Sequence, residues 1–207
     1  MIVLPTKKST PSAINPRFLV YYGKPKSGKT HLASMLENNL IIDLEKGTSF
    51  LSALSIEANN LKDLFEVMSA IKAANEEKGG FVYDYITLDN GTKLQEFIMS
   101  LALKLYQETP MGKNYSGAVR KLPNGAGYLY IREAFFKVID AIRALAPTFI
   151  LICHTKDSMI NRGGKELNEM SLDLTGQLAR PVAADADAIG YIYRLKKSNY
   201  FELQWLS

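Results

Sequence analysis

The segment Gly23-Lys24-Pro25-Lys26-Ser27-Gly28-Lys29-Thr30 constrains this chain more than any other, because it spells a complete G-x-x-x-x-G-K-T loop. Glycines let such a loop curl until successive backbone N–H groups point at phosphate oxygens, at the positive end of the helix that follows. In that geometry Lys29 reaches the β- and γ-phosphates of a nucleotide and Thr30 ligates Mg²⁺. His31 extends the segment expected to line the nucleotide. The flanking sequence fits. Arg17-Phe18-Leu19-Val20-Tyr21-Tyr22 is a short apolar run suited to a buried strand, and Leu32, Met35 and Leu36 have helical spacing between Thr30 and Asn38.

The same alternation continues. Leu40-Ile41-Ile42-Asp43 reads as a second strand, and Leu61, Leu64, Phe65, Met68 and Ile71 fall on one helical face. Tyr85-Ile86-Thr87-Leu88 is a third strand closing on Asp89. Leu94, Phe97, Ile98, Leu101 and Leu105 then predict one long helix, Tyr128 to about Ala146 another, and Thr148 to Cys153 a fourth strand. Two alternating segments, 189–194 and 200–205, flank Ser198-Asn199 and predict a terminal β-hairpin. The expected class is α/β: a mostly parallel sheet with helices on both faces and a C-terminal β-hairpin, with ligands at the carboxyl ends of the strands.

Residues 1–16 contain three prolines and read as an extended N-terminal arm, leaving residues 17–207 as one domain. A chain of 207 residues, 47% hydrophobic and 22% charged, can bury a single core without disulfides. The single cysteine, Cys153, sits within the apolar run Phe149-Ile150-Leu151-Ile152 and reads as a buried thiol in a reducing compartment. No run approaches the roughly 18–20 apolar residues of a membrane span, nor does the N-terminus have a signal-peptide core, so a cytoplasmic protein without a membrane partner is expected.

A magnesium nucleotide needs a carboxylate at the end of a neighbouring strand. Asp89 and Asp43 both qualify by position, although Asp89 could instead cap the helix that Asn90-Gly91-Thr92 opens. Hydrolysis needs a group that positions or deprotonates water. Glu45, which is 45 − 29 = 16 residues beyond Lys29, stands at the end of the strand after the P-loop helix; the alternative is a solvated loop carboxylate. His154, at the end of the fourth strand, could sense a γ-phosphate or be a structural imidazole.

Net charge is +4, and it is uneven. Residues 1–30 hold six Lys/Arg and residues 110–132 hold four, with no carboxylate in either segment. Residues 108–127 carry four glycines and two prolines and predict a functional loop with Lys113, Tyr115, Arg120 and Lys121. A second flexible loop is predicted over 156–171, with Lys156, Arg162 and Lys165. Cations for phosphates and an aromatic ring for stacking suit single-stranded nucleic acid; both segments could equally be solvated loops.

The order Gly23…Lys29-Thr30, Ile42-Asp43-Leu44-Glu45, Leu88-Asp89 and Ile152-Cys153-His154 resembles the ATPase core of RecA-type recombinases. It is most similar to the short RecA-like P-loop ATPases of bacteriophages and prophages, phage nucleotide-binding proteins linked to single-strand annealing and recombination. The segments 174–180 and 184–191 resemble the C-terminal part of that group. The resemblance implies ATP and Mg²⁺ as cofactors, Glu45 as catalytic carboxylate with Lys29, Asp89 as the second magnesium residue, and His154 as sensor where RecA has glutamine. It further implies an ATPase acting on single-stranded DNA through two loops, as a homo-oligomer (ring or filament), with a single-strand-binding protein as a possible partner, in the cytoplasm of a bacterial host. A cation from Arg194, Lys196 or Lys197 would reach the neighbouring subunit's nucleotide, although adjacent cations on a hairpin also suit a solvated edge. A helicase-loader-like motor is the alternative reading. A P-loop small-molecule kinase fits less well, because its lid usually carries several arginines and residues 108–132 hold only Arg120 and Arg132.

Overall fold

The computed structural model describes the backbone of residues 16–162, 165–176, 178–195 and 198–204, and their side chains except over 158–169 and 198–204. Strand β1 (Phe18–Gly23) alternates its side chains between two packed layers: Phe18 and Val20 enter one core, Tyr21 the other. Parallel strands flank it on both sides. β5 (Thr148–Arg162) pairs Phe18 with Phe149 through Gly23 with His154, and β7 (Ala188–Leu195) pairs Leu19 with Ala188 through Tyr22 with Tyr191.

Beyond β5 come β4 (Tyr85–Asp89), β2 (Asn39–Asp43) and the edge strand β3 (Leu54–Glu57), all parallel. β8 (Ser198–Gln204) closes the other edge antiparallel to β7, giving the order β3-β2-β4-β5-β1-β7-β8. This is the predicted α/β architecture with its C-terminal hairpin. Ser198 and Asn199, expected at the turn, are strand residues paired with Leu195 and Arg194, and residues 196–197 lie outside the described residues.

The two faces are covered unequally. The larger core joins the sheet to α2 (Leu61–Lys78), α3 (Gly91–Phe97), α4 (Met99–Gln107), α5 (Ala126–Arg143) and α6 (Ala179–Asp185) through Leu64, Leu94, Ala102, Phe135 and Val182. The smaller one, around Ile41, Ile150, Ile152 and Ile192, takes Ala33 from α1 (Lys29–Ser34). The long helix expected over 94–105 is two helices, because the fully buried Ile98 takes ψ −3° and tightens the turn there. α1 stops four residues short of Asn38, and neither β3 nor α6 was expected.

The predicted loop over 156–171 is instead a β-ribbon. β5 runs straight on past the sheet and pairs with β6 (Lys165–Leu172), from Thr155 with Leu172 to Arg162 with Lys165. Its sequence lacks the apolar alternation by which a half-buried strand is recognised. Of the predicted loop 108–127, residues 126–127 already belong to α5; the rest is irregular apart from two single turns of 3-10 helix, Val119–Lys121 and Pro123–Gly125, and is anchored by the buried Val119 and Leu122.

At the top of β1 the chain passes directly under β7. A Cβ on Gly23 would lie 2.2 Å from the Ile192 carbonyl oxygen and 2.8 Å from Ser27 Oγ. Since the close atom is backbone, Gly23→Ala must push β1 and β7 apart. Chemical unfolding should show a loss of about 1–3 kcal/mol, and a variant as stable as the parent would contradict this packing.

Candidate active site

The P-loop crosses from β1 to α1 in a tight curl. Lys26 and Gly28 have φ of 62° and 102°, and the Ser27 N–H donates to Lys24 O at 3.2 Å. Gly28, at the N-cap of α1, has a backbone that side-chain-bearing residues rarely adopt. Lys29 is buried beneath the loop, and its ammonium donates to the carbonyls of Gly23 at 3.0 Å and Lys24 at 2.9 Å. Burial lowers its pKa, against the pull of Asp89 and Glu45. The Ser27 hydroxyl is also buried, with no hydrogen-bond partner among the described residues.

Parallel pairing brings the acids to this loop. Asp43 and Asp89 are direct neighbours at the ends of β2 and β4, and Asp89 lies beside Ile152 of β5. The Thr30 hydroxyl donates to Asp89 Oδ2. Burial, reinforced by the nearby Asp43 and Glu45 carboxylates and opposed by Thr30 and Lys29, pushes the Asp89 carboxyl up to about 6. The helix cap that competed for Asp89 belongs to its neighbour: Asn90 Oδ1 accepts the Lys93 N–H at 2.7 Å.

Asp43 is engaged elsewhere. Its oxygens accept from Glu45 N at 2.9 Å, Thr48 N at 2.8 Å and Thr48 Oγ1 at 2.7 Å. Burial pushes its pKa up, but these hydrogen bonds outweigh that and hold it below the ordinary range. Asp43 therefore shapes the loop that carries Glu45, and Asp89 is the carboxylate that meets Thr30.

Glu45 and His154 come together across the mouth of this cleft, with Nε2 of His154 3.3 Å from Glu45 Oε2. The cleft has a volume of about 450 Å³; Lys26, Lys29, Thr30 and His31 line one side and Glu45, Asp89 and His154 the other. Phe50 and Leu51 complete its rim, and Phe50 is 97% exposed. Neither was singled out from sequence; the available signal was an apolar pair five residues after Glu45 in an otherwise polar loop.

These residues fit a magnesium nucleotide. Gly23 leaves no room for a side chain and Gly28 holds a left-handed backbone where the loop must curl, the buried Ser27 hydroxyl and Lys29 ammonium supply donors, and Thr30 with Asp89 supplies two hard oxygens. Among the described residues no three His, Cys, Asp or Glu side chains form a metal cage. A larger groove of about 730 Å³ lies between α2 and α5, but its polar groups are occupied: Lys72 pairs with Glu76, and Asn75 with Leu145 O and Val82 N.

The remaining predicted residues lie outside the cleft. Lys113, Arg120 and Lys121 are exposed on loop 108–127. Tyr115 is packed, with its ring edge-on to Tyr106 and its hydroxyl donating to Ala118 O at 3.0 Å. Arg162 and Lys165 face each other in the ribbon register. Arg194 is exposed on β7, two residues past Ile192, while Lys196 and Lys197 lie outside the described residues. Cys153 is fully buried, and burial pushes its thiol up to about 12, so it is the inert core residue expected. Among the described residues no helix is long and apolar enough to cross a membrane.

Asp89 generates a pH prediction for the nucleotide-free, magnesium-free protein. Its pKa of about 6 in the fold exceeds the roughly 3.9 of an unfolded aspartate, so ionisation destabilises the fold. The penalty is absent below about pH 4, grows between pH 4 and 6, and is complete above that. Asp89→Asn, which still accepts from Thr30, should therefore be more stable than the parent at pH 8 by up to about 2–3 kcal/mol, with no advantage at pH 4. A pH-independent difference in melting would refute the shift.

A family model described as an AAA domain matches residues 15–203 of this chain. No curated protein matches it. Among solved structures, the crystal structure of the RadB recombinase aligns with 91% of this chain and 80% of that one, at a TM-score of 0.50 and 14% identity, a likeness of fold. The family match spans nearly the whole chain and contains the P-loop, Glu45, Asp89 and His154: the chain belongs to the AAA domain family, on the RecA-like α/β fold that the RadB recombinase shares.

Proposed function

We propose that this protein binds and hydrolyses ATP with Mg²⁺ and uses the cycle to act on single-stranded DNA, in recombination or annealing of the phage type. The observation that carries the proposal is the contact of Thr30 with Asp89 directly beneath the P-loop, with Glu45 at the mouth of the same cleft. The backbone N–H groups of the loop and the Lys29 ammonium would hold the β- and γ-phosphates; Lys29 would exchange the Gly23 and Lys24 carbonyls for phosphate oxygens. Thr30 and Asp89 would hold the ion, whose chemistry when bound is to neutralise charge on the transferring phosphoryl group. Glu45 would take the proton of the attacking water on its carboxylate, and His154, at the mouth of the same cleft, would sense the γ-phosphate.

The DNA part of the reading is supported by cation placement. Lys113, Arg120 and Lys121 are exposed on one loop, and Arg162 and Lys165 stand on the ribbon that continues from the His154 strand. Tyr115 is the exception, since its ring is used in packing. A homo-oligomer, ring or filament, in which Arg194, Lys196 or Lys197 reaches a neighbour's nucleotide, is supported by the sequence resemblance. So are a single-strand-binding protein as partner and the bacterial host cytoplasm as location.

Two measurements test this. ATP turnover with and without single-stranded DNA, alongside filter binding across a salt series, should show DNA-stimulated hydrolysis and affinity that falls steeply with salt. If DNA neither binds nor alters turnover while a small acceptor becomes phosphorylated, the protein is a kinase. Glu45→Gln should lower turnover by about 100-fold or more while ATP affinity is kept; full turnover in this variant removes Glu45 from the chemistry.

A further inference from the structure

Three side chains meet at one atom of His154. Its Nε2 lies 3.0 Å from the side-chain nitrogen of Asn90 and 3.3 Å from Glu45 Oε2. The orientation of the Asn90 amide is fixed. Asn90 is fully buried and its Oδ1 accepts the Lys93 backbone N–H at 2.7 Å, so its NH₂ must face the imidazole. An amide NH₂ only donates and an ionised carboxylate only accepts.

One ring nitrogen cannot answer both neighbours. To accept from Asn90, Nε2 must present a lone pair, whereas to donate to Glu45 it must carry a proton. The other nitrogen, Nδ1, is buried with no hydrogen-bond partner among the described residues, so it does not settle the choice. The two neighbours differ in what they lose. An unpaired amide hydrogen at Asn90 would be buried and would cost its full desolvation, while the Glu45 side chain is 39% exposed and can turn to water.

We infer that Asn90 is a positioning residue for the proposed hydrolysis. By donating to Nε2 it holds the neutral His154 ring with its proton on Nδ1, and so keeps Glu45 unclaimed and available to accept a proton from water. In the opposite tautomer the Nε2 proton points at Glu45 Oε2 and occupies the oxygen that hydrolysis needs. The consequence for turnover rests on the ATPase reading; the tautomer itself does not.

The chain has two histidines, so ¹⁵N-histidine labelling gives two imidazoles, and the His31→Gln variant assigns them. At mildly alkaline pH the unprotonated nitrogen of His154 should be Nε2. Asn90→Asp keeps an oxygen for the Lys93 N–H but replaces the donor with an acceptor. It should move the proton to Nε2 and lower kcat by about tenfold or more, with KM for ATP within about twofold. In a His154→Gln background, where acceptor and donor are separate atoms, the same change should cost less than about threefold. Asn90→Ser caps the helix without reaching the ring, should give a mixture of tautomers, and carries the comparison if Asn90→Asp does not fold.

A parent protein with the proton on Nε2, an imidazolium under these conditions, or an unchanged tautomer in both Asn90 variants would each overturn the inference. Undiminished kcat in an Asn90→Asp protein whose tautomer has inverted would overturn its link to Glu45. If the parent hydrolyses no ATP at all, the functional proposal fails, and the nitrogen spectra still decide whether Asn90 sets the ring.

Discussion

The parallel register of four strands is the constraint on which the rest of this molecule depends. Gly23 of β1 lies opposite His154 of β5, Asp89 of β4 opposite Ile152, and Asp43 of β2 opposite Asp89. Because strands repeat every two residues, a slip of one position would turn each of these side chains to the other face. The register is held from below by packing that leaves little freedom: Phe18 stacks on Phe149 with centroids 5.5 Å apart, and Ile42, Ile86, Leu88 and Leu151 are fully buried. A cleft whose residues are spread over more than a hundred positions of sequence is thereby fixed by apolar contacts beneath it.

Burial has an electrostatic consequence at the end of those strands. Lys29 is pushed toward its neutral form and Asp89 toward its protonated form, each by removal from water. Groups in this position gain from a ligand that brings charge of the opposite sign, since the desolvation cost has already been met in folding. Asp43 shows the contrast. It is as buried as Asp89, yet three hydrogen bonds from Glu45 and Thr48 stabilise its charge and make it a structural anchor.

What could be read from the sequence follows the same physics. The P-loop was legible because backbone curvature restricts residue types at fixed spacing, and Asp89 and Glu45 because they end apolar runs. Asp43 could not be told apart from Asp89, since its role depends on Thr48, five residues on in a loop whose closure no local pattern reports. Tyr115 looked available because aromatic residues in polar loops often are, but it packs against Tyr106, nine residues earlier in α4. The edge strand β3 is exposed along its whole length and lacks the alternation that announces a strand, and so does the sequence of the β5–β6 ribbon. Asn90 was noticed only as a helix cap, because its second partner lies 64 residues away.

The ribbon has a mechanical consequence. β5 passes through His154 without a break and keeps pairing with β6 as far as Arg162, so one continuous strand joins the cleft to the far end of the ribbon. At about 3.3 Å per residue, Arg162 stands roughly 23 Å beyond Thr155. A tilt of about ten degrees at Thr155 would therefore carry that end by roughly 4 Å, a little less than the spacing between adjacent strands. The length of the ribbon thus sets how far a given change of angle at His154 would be felt at Arg162.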